Sequence, residues 1–278
     1  MSNELLTLNK NIETLRHYVY PTLSGINIVR GCGSRPCMIC SENSPIYQNS
    51  MDFGALQKIF STYDGGAQLM LFGQGDPIRY QHGDRKIKDV VALAHDSDVS
   101  INLRSHGCLP NERETTANVE ELVEYVIQNK LDRAQVRFDF SVDGYGWPGI
   151  SQDEHVAAIA SFYKIIAPLK PTVFAFANRN SHAGSIGSKE HLHQLLEDAK
   201  IPASAVVEQN IFYFKEGDRA SKLVTKTPLV ETFIPWQGTY IEADGTVFYN
   251  DPVFNIKSCG NIFSTIFTHS LPQPEGVH

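Results

Sequence analysis

The chain has 278 residues, of which 42% are hydrophobic and 20% charged, a composition typical of a folded globular protein with room for one α/β domain of barrel size. The net charge of −7 and the dispersed lysines and arginines lack the basic stripe of a nucleic-acid-binding protein, so we expect a small-molecule or peptide substrate and no nucleic-acid partner. The sequence has neither a signal-peptide core nor a run of roughly 20 apolar residues, which predicts a cytoplasmic protein without a membrane partner.

Predicted strands and helices alternate along most of the chain. A lead-in helix over 11–24 and a buried strand over 26–29 come first. Apolar spacing and helix-ending prolines predict further helices at 51–63, 84–95, 116–130, 152–167 and 188–199. The other strands are predicted at 68–72, 99–103, 135–142 and 172–177, with a sixth near 208–214 or 229–234. This rhythm predicts an α/β fold, specifically a partial (β/α)6 TIM-like barrel.

The last part of the chain has a different pattern. Residues 239–249 contain two β-rich runs separated by Asp244-Gly245, which predicts a hairpin. We therefore expect an N-terminal lead-in over 1–24, the barrel over 25–235 and a small C-terminal β-hairpin extension over 236–278.

Three of the five cysteines lie in one short loop. Cys32, Cys37 and Cys40 are spaced C-x4-C-x2-C, whereas Cys108 and Cys259 are isolated. Structural zinc usually takes four ligands in two separated pairs, and reduced cytosolic thiols seldom form disulfides. Three clustered thiolates suit a [4Fe–4S] cluster with one open iron, while buried cysteines or a zinc site completed by a distant histidine remain alternatives.

A glycine-rich turn follows the next predicted strand. Its residues are Gly73, Gln74, Gly75, Asp76 and Pro77, and it comes one strand-helix unit after the cysteines. Both motifs lie at carboxyl ends of strands, where α/β barrels place their chemistry. Gly75 could also serve the tight turn alone.

Together, the cysteine loop and this turn resemble the radical S-adenosylmethionine superfamily, whose second-strand motif is G-G-E-P. The resemblance covers roughly 25–210, with 102–107 in place of a third-strand T-N-G loop. It implies a [4Fe–4S] cluster on the three cysteines, whose open iron chelates S-adenosylmethionine before reductive cleavage to a 5′-deoxyadenosyl radical. It also implies an external one-electron reductant such as flavodoxin or ferredoxin.

The sequence differs from the family pattern in two places. The usual spacing is C-x3-C-x2-C, so this loop carries one extra residue between Cys32 and Cys37. Gln74 and Asp76 replace the second glycine and the glutamate of the turn.

The resemblance also implies which residues contact the cofactor. Ile39 would pack against the adenine, the turn would bind the methionine ammonium group, and residues after the fourth and fifth strands would contact the ribose or carboxylate. For the last group ordinary turn chemistry is the alternative. The implied cofactor-binding residues are Ile39, Gly73, Gln74, Gly75, Asp76, Ser141, Asp143 and Asn178.

Other side chains at strand ends are candidates for the substrate cavity. His106, Cys108, Tyr145 and His182 follow predicted strands, and a thiol or phenol can give a hydrogen atom to a substrate radical. Cys108 and Tyr145 are therefore the candidate catalytic residues, with loop residues of no chemical role as the alternative. Arg30 and Arg35 beside the cysteines could offset the negative charge of a cluster, or be solvated loop charges.

The C-terminal hairpin has a second, shorter resemblance. The run from Tyr240 to Phe263, with Cys259-Gly260-Asn261-Ile262, resembles the SPASM and Twitch extensions that carry auxiliary clusters. Asn250 and Asp251 stand where a cysteine usually follows the hairpin, so we expect no complete auxiliary cluster, with Cys259 free or a lone ligand.

We therefore expect a radical S-adenosylmethionine enzyme that acts on a small metabolite or natural-product precursor. We see no N-terminal domain that could capture a leader peptide, which favours a small metabolite over a peptide substrate. The alternatives are a peptide-modifying relative, an enzyme that transfers the 3-amino-3-carboxypropyl group, and a non-catalytic zinc or iron protein.

Overall fold

The computed structural model describes residues 3–31, 49–71, 75–107, 113–144, 151–178, 185–211, 238–250 and 256–264. In this part of the chain the α-helices are α1 (Asn3–Thr14), α2 (Phe53–Thr62), α3 (Ile87–Asp96), α4 (Arg113–Gln128), α5 (Gln152–Ile166) and α6 (Lys189–Asp198). The strands of the main sheet are β1 (Leu23–Ile26), β2 (Leu69–Leu71), β3 (Ile101–Ser105), β4 (Val136–Asp143), β5 (Thr172–Asn178), β6 (Val206–Ile211), β7 (Gly238–Ile241), β8 (Thr246–Asn250) and β9 (Ile256–Asn261).

These nine strands form one mostly parallel sheet in the order β6-β5-β4-β3-β2-β1-β7-β8-β9. The first six strands are parallel and follow one another in sequence order, and β7 is parallel to β1 on its other side. β8 and β9 complete an antiparallel meander. No described pairing joins β6 to β9, so the sheet is open. The predicted α/β class and the hairpin around Asp244-Gly245 are confirmed.

The helices form a single row along the sheet. Each helix from α1 to α6 packs against the next one in sequence. Phe162 of α5 lies against Phe138 and Phe140 of β4, with ring centroids 6.3 Å and 5.0 Å away. Burying an aromatic side chain of this size stabilises the fold by about 1.5–3 kcal/mol. The apolar side chains of β4 at 136, 138, 140 and 142 thus face the helices, and its polar side chains alternate onto the opposite face.

Helix starts follow the local sequence. The carboxylate of Asp52 accepts a hydrogen bond from the backbone N–H of Ala55 at 2.9 Å and caps α2. Ser151 and Glu154 form a reciprocal capping box at the start of α5. Such caps satisfy backbone donors that a helix leaves unpaired, each contributing about 1 kcal/mol. They explain why α2 and α5 begin close to their predicted positions.

Helix ends use the left-handed backbone conformation. Asp98, Lys130 and Lys200 have φ of 56°, 54° and 57°, each two residues past the end of α3, α4 or α6. The next N–H then bonds back to a carbonyl in the last turn, for example from Leu131 to Val126 at 3.0 Å. This is the Schellman arrangement, which sends the chain from helix to the following strand.

Several predicted boundaries differ from the structure by two or more residues, and three of them have a clear cause. The N-terminal helix begins at Asn3 rather than at 11, and continues as a π-helical turn (Leu15–Val19) and a 3₁₀ turn (Tyr20–Thr22). The first strand is Leu23–Ile26 rather than 26–29, because Gly25 pairs with both β2 and β7. β3 continues to Ser105, which we placed in a loop, since Arg104 and Ser105 still pair with β4.

The sixth strand occupies the earlier of its two predicted places, at Val206–Ile211, while 229–234 lies outside the described residues. Among the helices that the structure describes, none is both long and apolar enough to cross a membrane.

Candidate functional site at the carboxyl edge of the sheet

The carboxyl ends of the parallel strands meet along one edge of the sheet, and the sequence-predicted residues follow these ends. In the sequence, the three cysteines come after β1 and the glycine-rich turn comes after β2. Ser141 and Asp143 are among the last three residues of β4. Asn178 is the last residue of β5 and pairs with Ile211 of β6. Parallel pairing therefore brings the strand ends that these segments follow to the same edge of the sheet.

Several predicted residues lie outside the described residues. They are Cys32, Ile39, Cys37, Cys40, Gly73, Gln74, Cys108, Tyr145, Arg35 and His182. For Asp143, Asn178 and Cys259 the backbone is described and the side chain is not. In the described part no three histidine, cysteine or acidic side chains come together as metal ligands.

The residue before the first cysteine touches the glycine-rich turn. Gly31 and Gly75 form a parallel backbone bridge that lies apart from the main sheet. A Cβ atom on Gly75 would lie 2.4 Å from the carbonyl oxygen of Val29 and 2.7 Å from that of Gly31. Gly31 has φ of 100°, a conformation that favours glycine. The two motifs are therefore in backbone contact, and only glycine permits this approach.

The loop that carries the cysteines is held at both of its ends. Val29 and Arg30 pair antiparallel with Ser50 and Asn49 in a separate two-stranded ribbon. The N–H of Met51 donates to the carbonyl of Ile28 at 2.9 Å. The segment 31–48 therefore leaves and re-enters the fold at one point beside the turn after β2.

Arg30 adds a cationic group at this point. Its Nε is buried, and no described residue accepts a hydrogen bond from it. A buried donor without a partner is costly, so such an atom usually marks a place where an acceptor binds. Arg30 lies two residues before Cys32 in the sequence, so a cation at this position suits an anionic group bound there.

Asp76 connects the turn after β2 to the end of β3. Its side chain is 1% exposed, and Oδ1 accepts from the N–H of Ile78 at 3.2 Å. Oδ2 accepts from Ser105 Oγ at 2.8 Å and from the N–H of His106 at 3.2 Å, and His106 Nε2 lies 3.4 Å away. Both oxygens are thus engaged by the protein, which makes Asp76 a residue that positions the turn.

A buried polar pair that we did not predict lies at the same edge. Asn27 follows β1 and Glu242 follows β7, and Asn27 Nδ2 donates to Glu242 Oε2 at 2.6 Å. The N–H of Asn27 also donates to the carbonyl of Ile241 at 2.7 Å. The two residues are 215 positions apart in the chain, so no local pattern could have indicated their contact.

A scan against protein-family models and a search of curated proteins find no match to this chain.

The face of the sheet opposite the helices carries a charged cluster, also not predicted. Asp139 of β4 is 0% exposed and accepts from Arg137 Nε at 2.9 Å, from Asn102 Nδ2 at 2.8 Å and from Arg104 Nη2 at 3.4 Å. Arg104 also lies over the ring of Phe174, 4.5 Å from its centroid. Burial lowers the pKa of Arg104, an effect that the nearby Asp139 opposes. We call these five residues the arginine cluster.

The sequence did contain a signal for this cluster. In β4 the polar residues at 137, 139 and 141 alternate with four apolar ones, and a fully buried strand would be apolar on both faces. Ser141 lies on the same face as the cluster, and its hydroxyl has no hydrogen-bond partner among the described residues. This face therefore carries polar groups on the side of the sheet that is opposite to the six described α-helices.

Proposed function

We propose that this chain is a radical S-adenosylmethionine enzyme with a [4Fe–4S] cluster held by Cys32, Cys37 and Cys40. The contact between Gly31 and Gly75 carries the proposal. It puts the residue next to the first cysteine against the turn that resembles the cofactor-binding motif. The buried Nε of Arg30 beside this contact fits an anionic centre there.

The topology supports a partial (β/α)6 barrel as the scaffold. Strands β1 to β6 are neighbours in sequence order, and their helices form one row. Doubly wound sheets reverse their strand order and carry helices on both faces, whereas barrels keep the order and put the helices outside. The face with the arginine cluster then becomes the interior of the barrel.

In this proposal the chain's residues bind and orient the cofactor. The turn at 73–76 binds the methionine ammonium group, Ile39 packs on the adenine, and Ser141, Asp143 and Asn178 contact the ribose or carboxylate. When bound and reduced by an external one-electron donor such as flavodoxin or ferredoxin, the cluster supplies the electron that cleaves S-adenosylmethionine. Cys108 and Tyr145 are the proposed hydrogen-atom donors, and the substrate is a small metabolite or natural-product precursor.

Anaerobic reconstitution of the full-length protein with iron and sulfide tests the metal centre. We expect about four irons per chain and a broad visible absorption from thiolate-to-iron charge transfer. Cys37→Ser removes one of three ligands and should lose most of the iron, whereas Cys259→Ser, the matched control on β9, should retain it. Zinc in place of iron, or equal iron in both variants, would contradict the proposal.

A further inference from the structure

The arginine cluster leaves a planar pair of donors available for a ligand. Arg137 uses only Nε, which donates to Asp139, and its side chain is 36% exposed. No described residue accepts a hydrogen bond from either Nη atom. The two Nη groups of a guanidinium match the paired oxygens of a carboxylate or phosphate.

The buried carboxylate fixes the direction of this arginine. Asp139 is fully buried and hydrogen-bonded by donors from two strands, so its position is set by the sheet. An arginine that is anchored at Nε loses little conformational freedom when a ligand binds its Nη atoms. Asn102 and Arg104 complete this support from β3, and Phe174 flanks it from β5.

The position of Arg137 separates this site from the cofactor region. Ser105, which bonds Asp76, is paired with Phe140 in the register of β3 and β4. Arg137 lies three residues before Phe140, which is about 10 Å along the strand toward its amino end. The backbone of Arg137 therefore lies nearer the amino end of β4 than the edge of the sheet that carries the glycine-rich turn.

We propose that Arg137, supported by Asp139 and Arg104, binds an anionic group of the substrate, a carboxylate or a phosphate. The substrate then reaches from this group toward the carboxyl edge of the sheet. The assignment to a substrate rests on the proposed function. Binding of the anion does not, because it needs neither S-adenosylmethionine nor reductant.

Isothermal titration calorimetry of the reconstituted full-length protein at low ionic strength tests this inference, with succinate and inorganic phosphate in separate titrations. We expect one saturable site per chain for one of the two anions, and the anion that binds identifies the chemistry. Arg137→Met should weaken its binding at least tenfold, because two charge-assisted hydrogen bonds are lost. Arg85→Met is the matched control: Arg85 also lies near a carboxylate and an aromatic ring but on the helix side, so affinity should not change.

A second variant keeps the inference testable if Arg137→Met does not fold. Arg137→Lys keeps the charge beside Asp139 but not the planar fork, and should also bind the anion more weakly than the unmodified protein. Absence of saturable binding of both anions, or equal affinity in the lysine variant, would overturn the inference. If the protein takes up iron but binds neither anion, only this inference is contradicted. If it binds an anion but takes up no iron, only the proposed function is contradicted.

Discussion

At the scale of single residues, Gly75 has the strictest steric requirement at the site. A methyl group there would meet the backbone oxygens of Val29 and Gly31, neither of which can move without shifting the start of the cysteine loop. We expect Gly75→Ala to destabilise the fold by about 1–3 kcal/mol, the usual cost of overpacking, and to lower iron retention after reconstitution. Urea unfolding and iron analysis on the same preparation measure both effects.

Gly83→Ala is the control for this variant. Gly83 has φ of 59° but nothing within 4 Å of a built Cβ atom. Its replacement should cost about 1–2 kcal/mol of backbone strain and leave iron binding unchanged. Full iron retention in Gly75→Ala would show that the contact with the turn does not support the cysteine loop.

The residues of the candidate site were predictable to different extents. The cysteines and the turn are local patterns, so their order and spacing predicted that they lie on neighbouring strands. Their contact through Gly31 and Gly75 depends on backbone geometry that spacing does not encode. The bond from Asp76 to Ser105 depends on the register between β2 and β3, which the sequence leaves open.

At the scale of elements, His155 lies at the packing of α5 against α6. It is 4% exposed, and burial together with the nearby His191 lowers its pKa from 6.5 to about 4. The folded protein therefore keeps this imidazole neutral at pH values where the unfolded chain binds a proton. Stability is fully present above about pH 6.5 and falls as the pH drops toward 4.

This linkage predicts a pH-dependent stability that one substitution removes. Between pH 7 and pH 5 the His155 term should cost about 2 kcal/mol of unfolding free energy, and His155→Gln should remove that part of the dependence. Urea unfolding at both pH values measures it. The exposed His17→Gln is the control and should keep the slope of the unmodified protein, whereas parallel pH profiles for all three proteins would refute the role of His155.

Most elements were predicted to within a few residues, and the misses have physical causes. Helices such as α2 and α5 carry both apolar spacing and caps, two signals that agree. α1 begins at Asn3 rather than at 11, and its buried Leu8 belongs to a core that only the tertiary structure defines. The predicted position of β1 was too late in the sequence, because pairing with β2 and β7 determines which residues form the strand.

At the scale of the whole molecule, the C-terminal strands complete the sheet next to the first strand. Thr239 Oγ1 of β7 bonds Thr22 Oγ1 at 2.6 Å, and Asn11 Nδ2 of α1 bonds the carbonyls of Ile262 and Ser264 at 3.1 Å and 2.8 Å. Both ends of the described chain therefore support the strand from which the cysteine loop departs. The local hairpin pattern predicted β7 and β8, but not that they join β1.

The most direct test of the central proposal is product analysis of the reduced, reconstituted full-length protein with S-adenosylmethionine. We predict formation of 5′-deoxyadenosine that depends on reductant and is lost in Cys37→Ser. Methylthioadenosine as the product would instead indicate transfer of the 3-amino-3-carboxypropyl group. An iron-loaded protein that forms neither product under reducing conditions would contradict the account.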